Sequence, residues 1–231
     1  MKKKLVALCL CVAMLAIAIV GGTLAYFTDT DAKTNTFTLG KVEITLTEPN
    51  YVTTEDDGSL KVFPGQSYAK DPTITVAADS EDCYIVATVT VSELAALKAL
   101  YANDPEVLQP WGLSLAGAGG LVSGGVADYD PTPATDNNMG GTMLSKDGAE
   151  VAFVTYAENA NADTLTYTYY FKQIHSANDS EVLFDTVNVP AIITNDSLTN
   201  GIAIEVNAYA IQEIGFNDVY EAYAAYVAQN G

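Results

Sequence analysis

Apolar and polar residues alternate along several short stretches of this chain, at the period of two that a half-buried β-strand requires. Val42, Ile44 and Leu46 alternate with Glu43, Thr45 and Thr47 inside the segment 36–47. In 84–91, Ile85, Ala87, Val89 and Val91 face one way and Thr88 and Thr90 the other, which makes this the clearest strand. From Gly201 to Ile211 the alternation is unbroken, with Ile202, Ile204, Val206, Ala208 and Ala210 on the inner face. Shorter strands are predicted over 73–77, 150–157, 164–172 and 182–189, the last closed by Pro190. Tyr167 and Tyr169 alternate with Thr166, Thr168 and Tyr170, so half of the ring-bearing positions there face a core.

Two segments carry helical spacing instead. Ser92 has the chemistry of an N-cap, and Leu94, Leu97 and Tyr101 recur at helical intervals, which predicts a short helix over 93–102 ended by Pro105 and Pro110. At the end of the chain, Val219, Tyr223 and Val227 predict a second helix over 218–228. The polar stretch 48–59, with the acid run Glu55-Asp56-Asp57-Gly58, reads as a loop, and Pro64-Gly65 as a turn. Residues 112–148, rich in Gly, Ala, Asp and Pro, read as a long, partly mobile excursion. Seven or eight strands, Gly/Pro turns and one or two short helices point to a mostly β fold, an antiparallel β-sandwich.

The first 25 residues read as an address rather than a fold. Lys2, Lys3 and Lys4 precede an uncharged apolar run from Leu5 to Val20, then Gly21-Gly22 and the small-x-small site Thr23-Leu24-Ala25. That is the anatomy of a secretory signal peptide cleaved between Ala25 and Tyr26. The alternative is a membrane anchor, but the run is shorter than the roughly 20 residues of a spanning helix. The expected organisation is a signal peptide over 1–25, an N-terminal arm over 26–40 and one β-sandwich domain over 41–231. The mature protein is expected outside the cell, in a matrix or at the cell surface, with no stable membrane insertion.

Composition narrows the function. The 231 residues hold 10 Lys, no Arg and 29 acidic side chains, a formal net charge of −19. Cleavage removes three Lys and no acid, which brings the charge to −22. A surface this acidic, without the planar guanidinium fork, excludes nucleic acid as a partner. Cys83 is the one Cys beyond the signal segment, so no internal disulfide forms, and a buried inert thiol is expected. Like-charged subunits repel, so self-association should be favoured by salt, divalent cations or low pH.

The block Gly21-Gly22-Thr23-Leu24-Ala25-Tyr26-Phe27-Thr28-Asp29, followed by Asn35-Thr36-Phe37-Thr38-Leu39-Gly40 and Val42-Glu43-Ile44-Thr45-Leu46, resembles the TasA/camelysin family of secreted Gram-positive proteins. Phe63-Pro64-Gly65-Gln66 with Asp71 to Val76, and the late stretch Ala208 to Gln212 with Gly215-Phe216, continue the resemblance; about 94–163 does not match. The resemblance implies a jelly-roll-like sandwich that forms extracellular biofilm-matrix fibres, with the dedicated signal peptidase SipW as processing partner. It also implies a homopolymer in which the mature N-terminal segment adds a strand to the next subunit, or a spore-associated relative of such a protein.

The residues give that arm a physical basis. Thr28, Thr30, Thr34 and Thr36 suit a strand, whereas Tyr26 and Phe27 are the large apolar groups of 26–36. Such a segment buries little at home and can add to an open sheet edge, with Gly40 as a hinge. An ordinary edge strand or frayed terminus is the plain alternative.

No enzymatic activity and no cofactor are expected. The camelysin branch of the resemblance implies a metallopeptidase, but the H-E-x-x-H helix of such enzymes is absent and His175 is the one histidine, read as a surface or strand-end residue. No G-x-S-x-G elbow occurs either. Oxygen-rich clusters at Asp29 and Asp31, Glu55 to Asp57, Asp128 and Asp130, and Asp136 with Asn137 and Asn138 keep structural calcium as an alternative, though none fits an EF-hand loop. The 14 Tyr and Trp111 keep a second functional class open, a secreted module that stacks on matrix polysaccharide.

Overall fold

A computed structural model of the protein describes residues 40–53, 61–102, 122–125, 130–133, 140–144, 150–189, 191 and 201–230. They lie in one compact unit, Gly40–Gly231. The expected signal peptide, its expected cleavage site between Ala25 and Tyr26, and the expected arm with Phe27, Thr28, Thr30, Thr34 and Thr36 lie outside the described residues.

The chain is mostly β and antiparallel, as its alternation predicts. The strands are β1 (Ile44–Thr47), β2 (Ser67–Ala69), β3 (Thr73–Val76), β4 (Cys83–Ser92), β5 (Val122–Ser123), β6 (Asp130–Pro133), β7 (Gly140–Leu144), β8 (Glu150–Asn159), β9 (Thr164–Phe171), β10 (Ser180–Val182), β11 (Thr186–Asn188) and β12 (Ile204–Gln212). The helices are α1 (Leu94–Leu100) and α2 (Val219–Asn230). A six-stranded sheet runs in the order β12-β4-β9-β8-β7-β6, and two three-stranded sheets run β1-β3-β10 and β2-β11-β5. Among the described residues no sheet closes into a barrel.

One face of the large sheet carries the core. Ile85, Ala87, Val89 and Val91 of β4 and Leu165, Tyr167, Tyr169 and Phe171 of β9 are buried there, with Ala152 and Val154 of β8. Ile74 and Val76 of β3, Val122 of β5 and Val187 of β11 meet them from the small sheets, which makes the second layer of the sandwich. Burial holds the Tyr167 and Tyr169 phenols neutral, with ionisation displaced upward. The opposite face of the large sheet packs under α2, where Tyr84, Val86, Val219 and Ala222 form a smaller buried cluster. β4 sits between two long partners and is buried on both faces, which is why its polar-side positions include Tyr84 and Val86 as well as threonines.

Several local expectations need correction. Residues 182–189 are not one strand: β10 pairs with β3, β11 pairs with β2 and β5, and the buried Leu183-Phe184 carries the chain from one sheet to the other. The segment 112–148 contributes β5, β6 and β7, so part of it is sheet. Ser92 does not cap α1. Glu93 takes the N-cap place with φ 61, and the Leu94 and Ala95 N–H groups donate to the backbone oxygen and carboxylate of Asp163, in the β8–β9 hairpin. The Ser92 hydroxyl instead accepts from Ala203 N–H. In α2 the buried positions are Val219 and Ala222, while Val227 is exposed. Asp218 caps this helix, accepting the Glu221 N–H at 2.9 Å. Pro64-Gly65 does form the expected turn: Gly65 has φ +75, and Gln66 N–H donates to Phe63 C=O.

Candidate functional site: an open sheet edge beside an apolar groove

The two edges of the large sheet differ. At one end β6 reads Asp-Pro-Thr-Pro, and its two prolines remove N–H donors, a common way to blunt an edge. At the other end β12 runs for nine residues, Ile204–Gln212, without a proline. It is the longest edge strand among the described residues, and β1 approaches it without forming a ladder.

The pairing of β12 decides which groups face outward. Its register against β4 is unbroken from Ile204↔Val91 to Gln212↔Cys83. Ser92 N–H donates to Ala203 C=O and Glu213 N–H to Asp82 C=O, so the odd-numbered residues bond inward. In an antiparallel ladder these groups alternate, which directs the backbones of Ile204, Val206, Ala208 and Ala210 away from β4. No strand pairs with them among the described residues.

The start of this edge opens into a groove of about 550 Å³. It is lined by Ile202 and Ile204, by Tyr68 and Val187 of the β2–β11 pair, and by Tyr51 and Val62. Lys70 lies at the groove with its charge engaged, Nζ being 2.5 Å from Glu48 Oε1 and 5.0 Å above the Tyr51 ring. Val52, Val62 and Phe63 are exposed, with Phe63 at 56%. Strand-pairing groups beside apolar pockets are what an added strand uses: main-chain bonds supply affinity and alternate side chains supply register.

Gly40 is the first residue of the described unit. A Cβ there would meet Glu81 Cγ at 3.2 Å. The next residue is held firmly, because Lys41 C=O accepts the Glu81 N–H at 2.8 Å.

His175 lies past the end of β9, in an isolated β-bridge rather than at a strand end, and it is not on the surface: it is 1% exposed. Its backbone exchanges both hydrogen bonds with Cys83, and its ring stands edge-on to Phe171. Nε2 lies 3.1 Å from Glu181 Oε1 and 3.2 Å from the Gln173 amide, and Nδ1 is buried without a hydrogen-bond partner. One imidazole and one carboxylate fall short of the three protein ligands of a catalytic zinc. Among the described residues no group of three or more His, Cys, Asp or Glu could hold a metal ion. The donor set here therefore does not fit a zinc-peptidase centre. The loop clusters considered for calcium fall outside the described residues, or have side chains that do. Cys83 is the buried thiol expected, its ionisation pushed up to about 11 by burial.

Among the described residues no helix is long and apolar enough to cross a membrane. Residues 1–93 match the family described as camelysin metallo-endopeptidase, which bears out the TasA/camelysin resemblance over that part of the chain. No curated protein and no solved structure matches the chain significantly.

Proposed function

We propose that the mature chain is a secreted structural protein that polymerises outside the cell by strand donation. Residues 26–36 of one copy add to β12 of the next, and Tyr26 and Phe27 enter the groove at its start. The observation that carries this reading is the nine-residue edge of β12, unpaired on its outer side among the described residues and running out of an apolar groove. The family match over 1–93 supports it, since it spans the segment that would be donated. SipW-type processing would free Tyr26 as the new N-terminus, and a matrix polysaccharide is a further candidate partner.

The test is electron microscopy and sedimentation of residues 26–231 beside a deletion lacking Tyr26–Thr36, as pH falls from 7 to about 5, where carboxylates begin to lose charge. Filaments formed by the first and not by the second are the expected result. A deletion that polymerises equally well overturns strand donation. Fibre yield should rise with ionic strength, because the subunits repel at −22; a falling yield would argue against this account of the charge. The family's description favours one other reading, a metallo-endopeptidase. Chelator-sensitive cleavage of a protein substrate by the purified chain would establish that reading instead.

A further inference from the structure

Five tyrosines on the outer face of the large sheet form a continuous run of rings that the proposed assembly leaves unused. Tyr170 of β9 lies 5.0 Å from Tyr220 and 5.7 Å from Tyr223, centroid to centroid. Tyr209 of β12 lies 5.8 Å from Tyr223 and 5.3 Å from Tyr226, and Tyr223 and Tyr226 stack at 6.2 Å. All five are partly exposed, so an oxidant in solution can reach them. We propose that this cluster is an oxidative cross-linking site, at which Tyr209 and Tyr226 are joined as dityrosine by a peroxide-driven peroxidase.

The step balances. Each phenol gives up one electron and one proton to become a phenoxyl radical. The two radicals combine through their ortho ring carbons, and the ring hydrogens move to restore both phenols. One carbon–carbon bond forms and two hydrogens are lost, while one hydrogen peroxide is reduced to two waters.

Three features select this pair. Lys172 Nζ sits 5.0 Å over the Tyr220 ring, and a cation there opposes removal of an electron, so the Tyr170–Tyr220 end is the poorer place for a radical. Tyr223 and Tyr226 face each other in near-parallel planes at the longer distance, which leaves Tyr209–Tyr226 as the shortest remaining contact. No thiol competes nearby: Cys83 is fully buried in the core on the other face, and its raised ionisation keeps it protonated. Tyr167 and Tyr169, buried in that core, provide an internal control that the oxidant should not touch. The bond would fasten α2 to the sheet covalently in a chain whose single Cys beyond the signal segment forms no disulfide.

The sequence makes the test direct. Cleavage after Glu205, Glu213 and Glu221 leaves Tyr209 as the one tyrosine of 206–213 and puts Tyr226 with Tyr223 in 222–231, where fragment ions between the two tell them apart. The purified protein is treated with horseradish peroxidase and hydrogen peroxide, then cleaved at glutamate and mapped by fragmentation mass spectrometry. The expected product is a monomer two hydrogens lighter, with 206–213 joined to 222–231 through Tyr209 and Tyr226. Tyr209→Phe and Tyr226→Phe, which keep the rings, should each lose this linked pair, while Tyr223→Phe should retain it. The proposal is overturned if cross-links form only between chains, if Tyr209→Phe leaves the linked pair in place, or if Tyr223→Phe removes it.

Discussion

Replacing Ala208 with proline separates the role of β12 in the fold from its proposed role in assembly. Ala208 is opposite Ala87 in the middle of β12, and its N–H points away from β4. A proline there removes no ladder hydrogen bond within the subunit, and edge strands tolerate proline when the missing N–H faces outward. Ala87→Pro is the contrasting variant, because β4 is flanked by β12 and β9 and proline inside a sheet removes a made bond. An added strand would need the Ala208 N–H. Losing one such bond costs about 1 kcal/mol, and the ring's bulk against the incoming backbone adds to that. Since about 1.4 kcal/mol is tenfold in an equilibrium constant, the critical concentration for fibres should rise roughly tenfold or more. Melting followed by circular dichroism should show Ala208→Pro folded close to the parent, and sedimentation should show its fibres lost at concentrations where the parent polymerises. A folded Ala208→Pro protein that polymerises with unchanged critical concentration would refute β12 as the acceptor edge.

Three further outcomes follow from the described geometry. Gly124→Ala should destabilise by about 2 kcal/mol or more in urea titration, because φ is +82 and the new Cβ falls 2.1 Å from the Asp185 carboxylate. Gly201→Ala, at φ +76 with open space around it, should cost only about 1 kcal/mol, so equal losses would remove the Asp185 contact from the explanation. Asp163→Ala should cost about 1 kcal/mol or more, since it strips the side-chain acceptor from the Ala95 N–H and leaves φ at 53 without the Asp chemistry that tolerates it; an unchanged midpoint would show that α1 does not depend on this cap. Stability should fall as pH rises above 9. Folding raises the Cys83 thiol from 9.0 to about 11 and displaces Tyr167 and Tyr169 upward from 10.0, so the unfolded chain loses those protons first. Cys83→Ala should delay the onset of alkaline unfolding, and an unchanged alkaline limb would assign the effect to the tyrosines alone.

The large sheet's inner face was legible because alternation reports burial directly. Ile85, Ala87, Val89 and Val91 stand opposite Thr88 and Thr90 in the sequence as they do in β4, and the inward set from Ile202 to Ala210 packs on the same core. What failed to show was whatever depends on a distant partner. Asp163 caps α1 from a hairpin about 70 residues downstream, so Ser92 looked like the cap while its hydroxyl was committed to Ala203. The split between β10 and β11 is invisible in 182–189 because both halves are β-prone, and the buried Leu183-Phe184 between them reads as strand interior. His175 looked peripheral because it follows a strand, yet its bridge to Cys83 places it inside.

The same limit governs the functional surface. Periodicity assigns each side chain a face, but a backbone N–H at Ala208 is open or closed according to which strand lies beside it. That no described strand pairs with the outer side of β12 therefore follows from sheet order, and that order is fixed by contacts such as Tyr209↔Val86 and Tyr167↔Val89, more than 70 residues apart. The difference between the two edges, by contrast, is chemical and local. β6 carries Pro131 and Pro133, whereas β12 presents Ile204, Val206, Ala208 and Ala210 with no proline and no charge on that alternation. A chain under pressure to remain monomeric blunts both edges of its main sheet. Among the described residues one edge is blunted and the longer one is left unpaired beside a groove, an asymmetry that the proposed strand donation requires, since it would give each copy one acceptor edge and a defined direction of growth.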